Sequence, residues 1–321
     1  VIDGTVLVTG AAGFIGSHLV ELLLEETNCR LVCLDDFNPS YDVARKRANV
    51  AGFVAHPRVR LIEHSFCDAA FMQRLVTEEA IRYVAHLGGH AGVRASLADP
   101  WRYEQVNVGG TLALLEAVRG RPLERFLLAS SSTVYGWGAP VPFLEDGPLG
   151  VPLSPYGVSK RAAELLCLMY WRVHGVPAVC ARLFSVYGPR LRPDLALAVF
   201  TRAIDRGQPI PLYGDGSVQR DFTHVSDVCR GLLAALACEG AVGEAVNLGH
   251  AEPIAIREVI ELVAQALGKA AQIELRPGSP ADLPATCADL SKAQRLLNYR
   301  PQIGFAEGVR AYVDWYRDTA T

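Results

Sequence analysis

The chain is expected to fold as an α/β protein, a doubly wound parallel sheet with a smaller mixed α/β region that receives a substrate. Three observations carry this. Short β-rich runs alternate with helical patterns through the first half, the pattern of a parallel sheet covered on both faces. A glycine-rich turn, Gly10-Ala-Ala-Gly13-Phe-Ile-Gly16, separates the first run from the first helix. After Phe184 the texture changes, and Pro and Gly punctuate residues 187–193 and 208–216.

The elements follow in order. Residues 5–9 read as a buried strand. In the turn that follows, Gly10 allows a tight bend and Gly13 lets the backbone approach a pyrophosphate. Gly16 lets the helix pack close, with its N-terminal N–H groups and dipole facing the anion. Taken alone, such a turn fits a plain loop as well as a dinucleotide cradle. Here an amphipathic helix over 13–25 follows, and the next apolar run, 30–34, leads into Asp35. That acid lies about twenty residues on, where a ribose-hydroxyl acceptor belongs. Strands at 59–62, 82–87, 125–129 and 178–183 alternate with further helical stretches, including 108–118 and 156–173. Ligands of such sheets bind at the carboxyl ends of the strands. Beyond Phe184, helical patterns recur at 225–237, 256–267 and 290–297, and a short strand at 245–248 returns to the main sheet. The expected organisation is a dinucleotide-binding domain over 1–184, with 221–250 returning to it. The substrate region comprises 185–220 and 251–321.

Composition narrows the class. Half of the 321 residues are hydrophobic and a fifth are charged, which suits a globular protein with a sizeable core. A formal net charge of −3 argues against nucleic-acid binding. No apolar run reaches the length of about 20 residues that spans a bilayer. The N-terminus has no basic segment leading into an apolar core, so no signal peptide is expected and the location is read as cytoplasmic. The eight cysteines form no C-x-x-C pair and fall mostly in apolar runs. They read as buried free thiols of a reducing compartment rather than as disulfides or metal ligands, and no metal is expected.

The chemistry concentrates in Tyr156-Gly-Val-Ser-Lys160, which opens a helix. At i and i+4 both side chains share a face. A lysine ammonium beside a phenol lowers the phenol's pKa and makes tyrosine a usable base. Only four lysines occur in the chain, at 46, 160, 269 and 292, so this spacing rarely arises by chance. An amphipathic helix with a surface lysine is the plainer alternative. Against it stands Ser130-Ser131-Ser132-Thr133, directly after the strand at 125–129. Hydroxyls at a strand's carboxyl end point into the expected cleft. Together with the dinucleotide turn they make a coherent hydride-transfer site. A serine polarises a carbinol or carbonyl oxygen, Tyr156 moves the proton and Lys160 also binds the nicotinamide ribose.

On these residues the chain resembles the extended short-chain dehydrogenase/reductase family, in its nucleotide-sugar epimerase/dehydratase branch. The landmarks are Gly10-x-x-Gly13-x-x-Gly16, Asp35, Asn107-Val-Gly-Gly-Thr111, Ser130 to Gly136, Tyr156-x-x-x-Lys160, Arg182 to Pro189 and Arg220 to Asp227. The resemblance implies a Rossmann-type sheet and NAD, bound by Gly10, Gly13, Phe14, Ile15, Gly16, Asp35, Asp36, Asn38, Ser65, Phe66, Leu87, Gly88, Gly89, Asn107, Tyr156 and Lys160. It also implies a Ser131/Tyr156/Lys160 catalytic set and a homodimer joined through the helices at 108–118 and 156–173. NAD rather than NADP is expected, because Asp35 and Asp36 repel a 2′-phosphate and no arginine adjoins Asp35. Two positions depart from the pattern. His64-Ser65-Phe66 replaces the usual Gly-Asp, which leaves the adenine contact to Ser65. Gly88-Gly89 replaces two alanines, which suggests a more mobile loop.

The branch also suggests the sugar. Relatives that dehydrate or decarboxylate carry an acid where this chain has Ser132 or Thr133, so epimerisation is favoured. Residues 38–47, 91–96 and 188–194 are similar to those of UDP-glucuronate 4-epimerases. In that subgroup a Ser/Thr and an Arg seven residues apart hold the sugar carboxylate, and Ser185 and Arg192 match. Ser131, Ser132, Thr133 and Arg94 are further sugar-side candidates. Arg220 and Arg276 are expected at the diphosphate, with Asp282 orienting Arg220 and Tyr213 stacking on uracil. The alternatives are a UDP-glucose/UDP-galactose 4-epimerase, then a UDP-glucuronate decarboxylase. Outside catalysis, a silent NAD-binding sensor is the alternative, and the intact Ser131/Tyr156/Lys160 set speaks against it.

Overall fold

A computed structural model describes residues 2–278 and 283–319. The first half runs β1 (Thr5–Thr9), α1 (Phe14–Glu26), β2 (Arg30–Asp35), α2 (Val43–Ala51), β3 (Val59–Glu63), α3 (Ala69–Glu78), β4 (Ile81–His86), α4 (Val93–Ala98), α5 (Pro100–Tyr103), α6 (Gly110–Val118), β5 (Arg125–Ser131), α7 (Pro155–His174) and β6 (Ala178–Leu183). The second half runs β7 (Ser185–Tyr187), α8 (Ala196–Asp205), β8 (Ile210–Tyr213), β9 (Gln219–His224), α9 (Val225–Ala237), β10 (Ala245–Leu248), β11 (Pro253–Ala255), α10 (Ile256–Leu267), β12 (Ile273–Arg276), α11 (Ser291–Leu297) and α12 (Phe305–Thr319).

Seven strands form one sheet in the order β10-β6-β5-β4-β1-β2-β3, and every pairing is parallel. Strands β1, β5 and β6 are buried at every residue. Such strands need continuous apolar runs, which is why they stand out in the sequence. Two apolar clusters flank the sheet. One gathers Val6, Val8, Leu127 and Val179 with α1 and α9. The other gathers Leu7, Val84, Phe126 and Leu128 with α3, α6 and α7. The remaining strands make two small sheets, β11-β9-β7 and β12-β8. The strand at 245–248 joins the main sheet beside β6.

The helical stretch read over 108–118 divides in two. A π-helical turn, Glu104–Gly109, precedes α6. Helix α7 is closed at both ends by local chemistry. The Ser154 hydroxyl accepts from Gly157 N–H, Pro155 occupies the first turn, and Gly175 ends the helix at φ 71°. That cap fixes where Tyr156 enters the helix.

Candidate active site

Strand order reverses between β1 and β4, and the cleft lies at the carboxyl ends there. Gly10 sits at φ 69°, and a methyl on it would lie 2.8 Å from Gly88 N. A methyl on Gly16 would lie 2.1 Å from Gly10 O, so helix and turn are packed to backbone contact. Gly13 precedes α1 with no side-chain cap, which leaves the first-turn N–H groups around Phe14 and Ile15 for an anion. These residues therefore fit a dinucleotide pyrophosphate.

Asp35 ends β2, buried, and accepts from Ala12 N–H at 3.1 Å and Phe37 N–H at 2.8 Å. Burial raises its carboxyl pKa, while Lys46 and the two N–H groups pull it down. Lys46 is a correction to the sequence reading. No arginine adjoins Asp35, but the Lys46 ammonium sits 3.5 Å from its carboxylate. Discrimination against a 2′-phosphate therefore does not come from two bare carboxylates. Exposed Asp36 accepts from Asn38 N–H at 3.0 Å, and Asn38 Oδ1 accepts from Arg102 Nη2 at 2.9 Å.

Phe66 explains Gly88. A methyl on Gly88 would lie 2.6 Å from the Phe66 ring, and one on Gly110 would lie 2.3 Å from it. The ring fills the space of the alanine methyl expected at the end of β4. Gly88 N–H is also held by the Thr9 hydroxyl at 3.1 Å, and Leu87 N–H by Thr9 O at 3.3 Å, so this backbone is tethered. Gly89, at φ 152°, faces Asn107 Oδ1 and Lys160 Nζ, 2.8 and 3.5 Å from where its Cβ would be. The Ser65 hydroxyl accepts from Cys67 N–H at 3.2 Å within its own loop. Asn107 spends its amide on the protein. It donates to His90 O and Ser159 Oγ, both at 2.9 Å, and accepts from His90 N–H at 2.8 Å. Its side chain thus clips the loop after β4 to α7.

Ser131 ends β5, and its hydroxyl accepts from Thr133 N–H at 3.2 Å and Thr133 Oγ1 at 2.9 Å. Ser132 and Thr133 are half-buried in the short turn Ser132–Val134. Burial raises the pKa of the Tyr156 phenol, while the nearby Ser131 hydroxyl and the Arg192 charge pull it down. The Lys160 ammonium donates to Ala129 O at 2.8 Å, beneath Gly89. Burial pushes Lys160 down to about 8, against the opposing effects of Cys167 and Glu164.

A buried brace holds this corner. Glu164, one turn beyond Lys160, accepts from Ser130 Oγ at 2.5 Å and from Arg182 Nε and Nη2 at 3.0 and 2.9 Å. It joins α7, β5 and β6, and sequence reasoning missed it. Its only local signal is the i+4 spacing from Lys160.

Arg192 lies on the loop after β7. It grips Asp194 at 2.6 and 3.1 Å, donates to Ala91 O at 3.3 Å, and stands 5.9 Å from the Tyr41 ring centre. Its charge reaches Tyr41, Tyr103 and Tyr156. Ser185 opens β7, half-buried. Tyr213 and Arg276 are cross-strand partners in the β8–β12 pair, and the Arg94 guanidinium covers Tyr213 at 3.8 Å. One face of Tyr213 is therefore already taken, which limits uracil stacking to the other. Arg276 pairs with Glu274 at 2.8 Å. Arg220 donates to Gln219 O and Leu283 O, both at 2.8 Å. Asp282 lies outside the described residues. Among the described residues, no group of His, Cys, Asp and Glu is arranged to hold a metal ion.

Comparison with known proteins agrees with this geometry. The family described as "NAD dependent epimerase/dehydratase family" matches residues 6–249. A UDP-glucuronate 4-epimerase of Thermodesulfobacterium geofontis is 38% identical over 316 residues, covering 98% of this chain and 97% of its own. The structure of UDP-glucuronic acid 4-epimerase from Bacillus cereus, in complex with UDP-glucuronic acid and NAD, superposes with a TM-score of 0.93. It is 35% identical and covers 98% of this chain and 99% of its own. UDP-glucose 4-epimerase from Thermotoga maritima, with UDP-glucose, gives a TM-score of 0.90 at 29% identity, covering 99% and 100% of the two chains.

Proposed function

Because the chain belongs to the NAD dependent epimerase/dehydratase family, we propose that it is an isomerase that inverts C4 of a UDP-sugar. The substrate is UDP-glucuronate and the product UDP-galacturonate, with a transient 4-keto sugar between them. The observation that carries the choice of sugar is Arg192, a mostly shielded guanidinium on the loop after β7 that donates to Ala91 O at 3.3 Å and pairs with Asp194. A uronate carboxylate brought beside C4 would compete with Asp194 for that charge, and a neutral hexose has no charge to offer it. The UDP-glucuronate 4-epimerases among the relatives point the same way.

The residues divide the work. Gly10, Gly13 and Gly16 would cradle the NAD pyrophosphate, Asp35 would accept from the adenosine ribose, and Ser65 and Phe66 would lie at adenine. NAD, when bound, supplies the acceptor and later the donor of a hydride. Tyr156, as phenolate, removes the C4 hydroxyl proton and returns it after the sugar has turned. Ser131 donates to the C4 oxygen and holds Tyr156 in line. Lys160 holds the nicotinamide ribose and adds positive charge to the cleft floor. Arg192 and Ser185 bind the carboxylate, and Arg–carboxylate contacts of this kind are worth about 1.5–3 kcal/mol. A 4-keto uronate is a β-keto acid and loses CO₂ when the carboxylate bond lies along the carbonyl π system. Clamping the carboxylate near the carbonyl plane suppresses that loss. Arg220 and Arg276 meet the diphosphate, and Arg94 and Tyr213 meet the uridine and sugar.

A homodimer through α6 and α7 belongs to the same reading. Val158, Leu165, Met169 and Val173 make an exposed apolar stripe along one face of α7, and Leu112 is exposed on α6. No helix among the described residues is long and apolar enough to cross a membrane. All eight cysteines are free and six are buried, which supports a reducing, cytoplasmic location. UDP-glucuronate carrying deuterium at C4 tests the chemistry. The product should keep the label at C4, and washout into solvent would contradict hydride return by the same cofactor.

A further inference from the structure

The carboxylate clamp is held in place from outside the cleft. Two residues before Arg192, Arg190 adopts φ 64°, a left-handed conformation that costs a non-glycine residue energy. Its guanidinium forms a two-pronged pair with Glu21, Nη1 to Oε2 at 2.9 Å and Nη2 to Oε1 at 2.6 Å. Glu21 projects from α1, the helix whose opposite end faces the pyrophosphate site. The pair spans 169 positions of sequence and is mostly shielded, with 24% and 31% of the two side chains exposed. Leu191, between the two arginines, is buried at 2% exposure. Gly188 is pressed against α9, with Val225 Cγ1 2.8 Å from where its Cβ would be. The loop thus has three fixings, at Gly188, at Glu21 and in the core, and Arg192 follows directly after them in the chain.

We propose that Glu21 is a positioning residue for uronate recognition: through Arg190 it locks the strained turn that aims Arg192. This deepens the proposed function and rests on it. Bidentate Arg–carboxylate pairs fix direction as well as distance, which a strained loop turn requires. His18 lies beside the pair but does not compete for Glu21 as a cation. Burial and the neighbouring Arg190 push its pKa down to about 4, so it is neutral.

The test uses the purified full chain with NAD. Glu21→Gln removes the charge and keeps the shape. It should raise KM for UDP-glucuronate about tenfold while kcat stays within about twofold. Competitive inhibition by UDP, which has no carboxylate, should be unchanged, as should NAD affinity. Adding Arg190→Gly to Glu21→Gln should recover part of the KM, because glycine holds φ 64° without help. An unchanged uronate KM in Glu21→Gln overturns the inference. So does weakening of UDP inhibition or NAD binding to the same degree, because that is general loosening. Arg192→Ala is run alongside. If it leaves the uronate KM unchanged, the uronate reading itself falls and takes this inference with it. If it raises KM and Glu21→Gln does not, only the inference falls.

Discussion

Gly16→Ala and Gly13→Ala should separate fold stability from cofactor affinity within a single turn. At Gly16 an added methyl would stand 2.1 Å from Gly10 O, 2.9 Å from Gly10 C and 3.0 Å from Ala11 Cα. All three are backbone atoms, so no side chain can rotate away. The turn and α1 must part by about 1 Å to restore contact, and overpacking of this kind costs about 1–3 kcal/mol. In a chain of this size that lowers the melting temperature by about 1.5–4.5 °C. The same displacement draws the helix N-terminus off the pyrophosphate. Losing one charge-assisted contact of about 1.5–3 kcal/mol weakens NAD about ten- to a hundredfold. At Gly13 the backbone is ordinary, with φ −74°, and the nearest atom to a methyl is Gly10 O at 3.1 Å. The fold gives by a few tenths of an ångström, but in the proposed pyrophosphate cradle the methyl would stand between the backbone and the phosphates. Gly13→Ala should therefore melt close to wild type and still bind NAD poorly. Thermal melting and titration calorimetry read the two effects. If Gly16→Ala matches wild type in both, α1 does not pack on the turn as described. If Gly13→Ala binds NAD normally, the phosphates do not approach there.

Tyr156→Phe should remove turnover by about 10²–10⁴ while leaving NAD affinity and melting nearly unchanged, because it deletes one hydroxyl in the cleft. Near-normal activity would exclude Tyr156 as the base. Arg192→Ala should lower kcat/KM for UDP-glucuronate about ten- to a hundredfold and release some pentose product by decarboxylation, as read by chromatography. Unchanged uronate kinetics would remove the clamp. Burial depresses Lys160 from 10.5 to about 8, so between these values the unfolded chain holds more protons than the folded one. Stability from this site therefore rises with pH through that window. Relative to Lys160→Met, wild type should gain stability between pH 8 and 10, and a constant difference in paired melts would refute the shift. Leu165→Arg on the exposed stripe of α7 should turn a dimer into a monomer by light scattering, whereas a wild-type monomer at micromolar concentration would contradict the interface.

The main sheet was legible because every strand but the edge strand β3 is largely buried and so is written as a nearly continuous apolar run. Each of the seven lies within two residues of its sequence-read position, and Gly10, Asp35, Ser131 and Tyr156 stand at their carboxyl ends. Less was legible where contact replaces local pattern. Strands β7, β8, β11 and β12 run only three or four residues, too short for a two-residue period to register. The π-helical turn at Glu104–Gly109 has the same apolar spacing as an ordinary helix entry. Lys46 reaches Asp35 only through the packing of α2, whose Asn49 donates to Ala12 O in the turn after β1, and Phe66 meets Gly88 and Gly110 only across separate chain segments. Glu164 and Glu21 belong to the same class. Each is an ordinary helix acid in sequence, and each finds its arginine, Arg182 or Arg190, only through the tertiary fold.

C4 epimerisation of a uronate is the reaction to be tested. The most direct test offers the purified protein UDP-glucuronate, UDP-glucose and UDP-xylose in separate incubations with NAD, with products resolved by chromatography and NMR. UDP-galacturonate should form from UDP-glucuronate, with kcat/KM far above that for either neutral sugar. Preference for UDP-glucose, or UDP-pentose as the main product from the uronate, would contradict it.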